Sequence, residues 1–599
     1  MDSGLAYASL RRPGMTMRIT ETSGMLDASR PRRRRAADPT LALVIVLALV
    51  LGAMTIPPLV SLVQASLRLT TATGDLGQFT LDHYRMILTD RAFFQSLANS
   101  LVFAIGTAAL AIGLGGLSAW LVVRTDTPFK SLAYMSAIVS LGTPYILYVT
   151  AWLFLLGRSG PLNAVLMSMT GSALPVFNVY SLTGMTLIEG FLWSPLAFLL
   201  LSAVFRAANA DFEEAARVSG AGILRAISKI SLRMMMPALA AVAVLVVVRS
   251  LEAFEVPALV GLPGGVKLLT TEIYLDMKKS VPPDLGYASA FSVVLLLLAA
   301  GLLYIYSRLS RNAARFHTIT GRGYRPRPLA LGRLRYLGDA FLVMNFLLIL
   351  VAPTFGLLWL SLMPFTQAIT LGGLKAITFE NYDAVFHSAF YLDLVWQTLA
   401  MSAGAATLVM AVTVLSAWLA VRRRPGAFLL DQLATVPLAF PGIVLGVAMI
   451  QIYLAAPLPI YGTIGAFILA FAIRYLPYGM RYASSGILQV HPELEEAAGI
   501  AGGSHTLTLA RIVIPLTRPA IASGWLFIFL VAARDVSLAV ILSSPSAQPV
   551  AVAMFDLWGN GQGTELAAFG LVWTAMMTVV ACALYALARQ VGASGFGAP

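Results

Sequence analysis

FTLDHYRMILTDRAFFQSLANSL, residues 79–101, returns as ITFENYDAVFHSAFYLDLVWQTL, residues 377–399. Each copy leads into the same phrase, LSAWLVVRTDTP at 117–128 and LSAWLAVRRRP at 415–425. Tyr84 stands opposite Tyr382, Trp120 opposite Trp418 and Arg124 opposite Arg422 at one constant offset, a register that chance does not hold over such a length. Further on, Pro195 and Glu214 match Pro477 and Glu496 at a shorter offset, so the first half carries an insertion in GRSGPLNAVLMSMTGSALPVFN, residues 157–178. The chain is a duplication.

What lies between the matched phrases is oily. Of 599 residues, 58% are hydrophobic and 12% charged, too little polar surface to cover soluble domains of this length. Apolar runs of about 20 residues each suffice to cross roughly 30 Å of hydrocarbon as a helix. About twelve such spans are expected, at 41–67, 98–123, 131–156, 180–205, 238–262 and 287–308, then 338–363, 396–421, 428–455, 463–488, 520–543 and 566–588. The expected fold is thus an all-α membrane protein with two six-helix repeats, and six being even, the repeats run parallel.

The formal net charge is +13, but its placement points to orientation in a membrane and not to nucleic acid. Basic residues gather in the tail at Arg32, Arg33, Arg34 and Arg35, and after the even-numbered spans at Arg124 and Lys130, Arg217 to Arg233, Arg422 to Arg424, and Arg511 and Arg518. They also fill the linker between the halves. This puts both termini and the linker in the cytoplasm. No small-residue cleavage site follows the tail, so the first span is expected to be retained. The divisions are then a basic tail at 1–40, a first transmembrane domain at 41–309, a solvated linker at 310–336, a second transmembrane domain at 337–590 and a short tail at 591–599.

Between the fourth and fifth spans of each half lies a regular cytoplasmic loop: FEEAARVSGAGILRAISKISLRMMMPAL, residues 212–239, and LEEAAGIAGGSHTLTLARIVIPLTRPAI, residues 494–521. Glu214, Ala215, Ala216, Gly220 and Ile230 match Glu496, Ala497, Ala498, Gly502 and Ile512. Small alanines let a helix approach a partner closely, and glycine permits a sharp bend before a second short helix. Such a bent helix pair suits a groove on another protein, with the two glutamates free for a charged or capping contact. One copy alone would read as an ordinary amphipathic surface helix; two copies in equivalent places do not.

These loops resemble the EAA loop of ATP-binding-cassette importer permeases, Glu-Ala-Ala, three residues, Gly, nine residues, Ile, one residue, Leu-Pro. The second copy ends Ile512-Val513-Ile514-Pro515; the first has Arg233 where the proline is expected, with Pro237 following and matching Pro519. With RSLEAFEVPALVGLPGG from Arg249, LLTTEIY from Leu268 and RDVSLAVILSSP from Arg534, nearly the whole chain looks like fused two-half permeases of the iron(III) importer type, related to thiamine, polyamine and phosphonate permeases. The resemblance implies the type I importer permease fold in a bacterial inner membrane. It also implies a periplasmic binding protein that delivers a small solute, and two cytoplasmic ATPase subunits docked on the two loops. Ferric iron is one expected solute; a phosphonate, polyamine or thiamine is the other.

Ionisable groups at membrane depth normally face a cavity or a partner. Arg249, Glu252 and Glu255 fall in the expected fifth span, Arg534 and Asp535 in the eleventh, with Glu189 and Arg474 as lesser candidates. Arg249 and Glu252, three apart, share a helix face and can pair. Either these groups line the translocation path or they form structural ion pairs. No metal site is expected, since His83, His317, His387, His491 and His505 are scattered, and the single Cys582 reads as a small packing residue. No cofactor is expected either. There is no Gly-x-x-x-x-Gly-Lys phosphate loop, so the chain is not itself an ATPase and its energy must come from a partner. The competing class is an ion-gradient-driven secondary transporter, whose Asp-Arg loop signature belongs between the second and third spans, where SAWLVVRTDTP stands instead.

Overall fold

The computed structural model describes residues 39–71, 76–207, 219–220, 232–279, 283–314, 329–370, 372–455 and 459–590. Helices dominate because lipid offers the backbone no hydrogen-bond partner, so a crossing segment must satisfy its own amides. The first half opens with α1 (Pro39–Ser66), a hairpin of β1 (Arg68–Thr70) with β2 (Leu76–Phe79), α2 (Asp82–Thr89) and α3 (Arg91–Arg124). It continues through α4 (Lys130–Gly142), α5 (Tyr145–Leu156), α6 (Pro161–Thr170), α7 (Leu182–Ala207), α8 (Leu232–Leu251), α9 (Leu269–Lys279) and α10 (Leu285–Ala314). The second half runs through α11 (Arg335–Phe346), α12 (Ala352–Ser361), α13 (Glu380–His387), α14 (Ala389–Val421), α15 (Phe428–Thr435), α16 (Gly442–Ala455) and α17 (Ile464–Leu488). It closes with α18 (Pro492–Ile500), α19 (His505–Thr508), α20 (Ile514–Ala532), α21 (Ala539–Leu542), α22 (Val550–Gly559) and α23 (Gly563–Gln590).

Among the described residues eight helical stretches are long and apolar enough to cross a membrane, or ten if each of two bent pairs is one span. Of the twelve expected spans, the two outside that count fall on α8 and on α17, which carries Arg474 and Arg481. The bent pairs are the expected third and ninth spans, broken by 113° between α4 and α5 and by 107° between α15 and α16. Pro144 and Pro441 stand at the breaks, where the missing N–H and the constraint on the preceding residue interrupt a helix. By contrast α3 and α14, at 34 and 33 residues, are each roughly 50 Å long and outreach the hydrocarbon.

The expected fifth and eleventh spans are displaced. The helix expected over 238–262 ends at Leu251, and a π turn at Pro257–Gly261 follows. The helix expected over 520–543 runs continuously from His505 to Ala532. Hydropathy missed its beginning because Arg511, Pro515 and Arg518 dilute the apolar run, while a π turn at Leu509–Val513 carries the helix into Pro515, which has no N–H to donate. The second arm of the bent pair is therefore the start of the span itself and not a separate short helix.

The halves share the larger of two apolar clusters, the smaller gathering mainly on α3, α4, α7 and α8, and their first spans cross over: α1 packs on α15 and α16 as well as α10, and α12 packs on α5 as well as α23. Ser61 Oγ donates to the Ala448 carbonyl at 3.3 Å, and Asn345 donates to Ser118 Oγ at 3.3 Å. The insertion of the first half is stapled by the fully buried Asn163, which donates to the carbonyls of Leu156, Gly157 and Phe177 and accepts from the Phe177 amide. The linker is pinned at its far end, where the Leu329 amide donates to the Arg124 carbonyl at 2.8 Å and the Leu331 amide to Asp126 at 3.2 Å. Cys582, expected as a packing residue, is exposed on α23, and His83 is buried on α2 with its ring nitrogen 3.1 Å from the Arg68 carbonyl.

Candidate functional site

Glu214, Ala215, Ala216 and Ile230 of the first loop lie outside the described residues. Gly220 is an exposed turn residue at φ 82°, and Pro237 sits half-buried within α8. The second loop is described throughout. His491 caps α18, Pro492 begins it, and Glu493 and Glu495 occupy its first turn, where carboxylates favour the helix dipole. The helix buries none of its side chains; Glu496 and Ala497 are exposed and Ala498 is half-buried. At its end Gly502 adopts φ 82°, matching Gly220, and the Gly503 amide closes back on the Ala498 carbonyl at 2.8 Å. This left-handed residue is the physical reason for glycine at both positions. Ser504 then caps α19, and Ile512 and Pro515 follow, half-buried, in the helix that enters the membrane. Leu494, Ile500 and Leu507 stay uncovered on this projecting corner, Ile500 being 90% exposed. An apolar crest with a free glutamate is what a groove on a partner can take.

The residue before the motif glutamate was not singled out by sequence, yet it is the one that anchors the loop. Glu495 accepts from Arg422 at 2.7 and 2.8 Å and from the Trp418 indole at 3.1 Å. The signal was present: both loops read Glu-Glu-Ala-Ala, and Trp418 and Arg422 are repeated as Trp120 and Arg124.

The second cluster forms where α8 and α20 stop inside the protein. Arg249, in the last turn of α8, pairs with Glu252 at 2.9 Å, as the spacing predicts, although Glu252 lies just past the helix end. Arg249 also donates to Tyr478 Oη of the second half at 2.9 Å. Reciprocally, Arg534, just past α20, stacks 4.8 Å from the ring centre of Tyr145 in the first half, with the Tyr145 hydroxyl 3.5 Å away. Asp535 is held by Arg474 at 3.0 Å, by the Tyr475 hydroxyl at 2.5 Å and by the Leu538 amide at 3.2 Å. Arg474, a lesser candidate by sequence, is therefore central. Glu252, Glu255 and Asp535 are all buried, and Glu255 accepts from the Phe254 amide at 3.4 Å. Glu189 is buried as well, accepting from the Trp193 indole at 2.8 Å. Two arginine–tyrosine contacts thus tie each half to the other, at helix ends whose charges would otherwise be costly at this depth. Among the described residues no grouping of three His, Cys, Asp or Glu side chains has the geometry to hold a metal ion.

Residues 111–315 match the family model of the binding-protein-dependent transport system inner membrane component. A putative ferric transport system permease protein, FbpB 1 of Haemophilus influenzae, is 27% identical over 477 residues, covering 78% of this chain and 73% of that protein. A probable ABC transporter permease protein of Sinorhizobium fredii, y4fN, is 24% identical over 572 residues, covering 92% and 96%. A putative 2-aminoethylphosphonate transport system permease protein of Salmonella typhimurium, PhnU, is 29% identical over 259 residues, covering 43% of this chain and 88% of that protein.

Proposed function

We propose that the chain is a multi-pass inner-membrane permease of the binding-protein-dependent, ATP-binding-cassette type, of the fused size of the ferric permeases it resembles. Twelve spans form two parallel six-helix repeats, 41–309 and 337–590, with both termini cytoplasmic. One ATPase subunit docks on each EAA loop, through Glu214 to Pro237 in the first half and Glu496 to Pro515 in the second. A periplasmic binding protein delivers the solute, and Arg249, Glu252, Glu255, Arg534 and Asp535 line the passage between the halves. The solute is ferric iron, with 2-aminoethylphosphonate as the competitor that the relatives raise.

The observation that carries this reading is the uncovered corner Pro492–Leu507, which buries nothing of its own in α18 and runs into a membrane helix. A partner that moves this corner moves the span, which is what coupling requires. Enlarging Gly502 and Gly220 to valine tests it. At φ 82° a β-branched residue costs about 1–2 kcal/mol per position, so the corner rearranges while insertion of the spans is untouched. The Gly220→Val/Gly502→Val double variant is expected to retain at most a tenth of the co-purifying ATPase and of radioactive ferric uptake. Normal ATPase stoichiometry with normal hydrolysis and uptake would overturn the docking assignment.

A further inference from the structure

We propose that Glu495 is the positioning residue through which α18 drives α14, so that force from the docked ATPase reaches the eighth span as directly as the eleventh; the inference rests on the docking reading above. Among the described residues, the side-chain hydrogen bonds that join α18 to a membrane-spanning helix all end on this one carboxylate. Its Oε1 accepts from Arg422 Nη2 at 2.7 Å and Nε at 2.8 Å, and its Oε2 accepts from Trp418 Nε1 at 3.1 Å. Both oxygens are used, and both donors belong to the end of α14. Arg422 Nη2 also donates to the Val490 carbonyl at 2.8 Å, locking the strand of chain that leads into α18.

The donors are held rigidly. The end of α14 is closed by the Arg423 amide on the Ala420 carbonyl at 3.0 Å and the Arg424 amide on the Leu419 carbonyl at 3.1 Å. That double closure needs a left-handed residue, and Arg423 supplies it at φ 51° without being glycine. At its far end α14 holds the other side of the protein. Thr398 Oγ1 accepts from the Val550 amide of α22 at 2.8 Å, and Tyr391 donates to Glu565 of α23 at 2.5 Å. A displacement of α18 is thereby carried along one 33-residue helix to the segment that follows the break after α20. The donors recur in the first half, for Trp120 and the buried Arg124 stand at the same positions of α3, while Glu213 lies outside the described residues.

A carboxylate is required. Glutamine at 495 would offer one acceptor and one amide donor, and the donor would face either the indole or the guanidinium. The test uses the full chain with its co-purifying ATPase, Cys582→Ser, and spin labels on Leu392→Cys and Leu88→Cys, both exposed. The probes are ATP alone and ATP with vanadate. In Glu495→Gln the ATPase is expected to co-purify at normal stoichiometry and hydrolyse ATP within twofold of the parent. The vanadate-induced change in the label distance is expected to fall by at least half. Glu495→Asp, which keeps a carboxylate, is expected to retain more of the response than Glu495→Gln. An unchanged distance response overturns the proposal, and so does loss of co-purification in Glu495→Gln, which would make Glu495 a docking contact. Failure of the docking reading shows separately, as a parent chain whose ATPase association survives the double glycine variant.

Discussion

A single methyl group at Gly442 should undo the charged cluster at the core of the protein. Gly442 opens α16 at the break of the ninth span, and the Arg474 guanidinium lies directly against its α-carbon. A Cβ built there falls inside the van der Waals envelope of Nη1 and Cζ, with Nη2 2.7 Å away. Because the obstruction is the end of a flexible side chain, Gly442→Ala is accommodated by moving Arg474, and the cost is the ion pair that Arg474 makes with Asp535 at 3.0 Å. Removing one partner of a buried pair costs about 3–5 kcal/mol. Asp535 is 3% exposed but keeps the Tyr475 hydroxyl and the Leu538 amide, and Arg474 is 20% exposed, so the lower end applies, about 3 kcal/mol. The free energy of unfolding in mixed detergent and dodecyl sulfate micelles measures this. Asp535→Asn added to Gly442→Ala should cost about 2 kcal/mol less than the two changes summed, because the same pair is lost only once. A loss below about 1 kcal/mol for Gly442→Ala, or strict additivity of the two, would refute the reasoning.

The two arginine–tyrosine contacts between halves should differ in strength. Tyr478→Phe removes a 2.9 Å hydrogen bond to Arg249 and is expected to cost about 1.5 kcal/mol, whereas Tyr145→Phe keeps the ring under Arg534 and should cost less than about 0.5 kcal/mol, both by the same unfolding assay. For topology, Arg322→Cys in a Cys582→Ser chain is expected to react with a membrane-impermeant maleimide only after the cytoplasmic side is opened; labelling of intact spheroplasts would reverse the span assignment.

Helical class and the glycine bends of the two loops were legible in the sequence because they depend on local order. Register between 79–101 and 377–399, apolar run length, and glycine at Gly220 and Gly502 are properties of neighbouring residues. The matched φ of 82° at both glycines follows from the absence of a Cβ, which no distant contact alters. The pair Arg249 and Glu252 was legible for the same reason, being three residues apart.

Tertiary structure alone decided where the spans break and what the charges meet. Hydropathy places a span wherever a run is apolar, so it extended the fifth past Leu251 and began the eleventh after Pro515; only packing against the rest of the protein permits a helix to end inside the membrane. Arg474 with Asp535, Arg249 with Tyr478, and Arg534 with Tyr145 join residues far apart in the chain, and the last two join different halves. The grip of Trp418 and Arg422 on Glu495 is of the same kind. Sequence order fixes which residues are available for such contacts, but a buried charge takes whichever partner the folded helices bring within about 3 Å, and that choice is made by the packing of the two halves against each other.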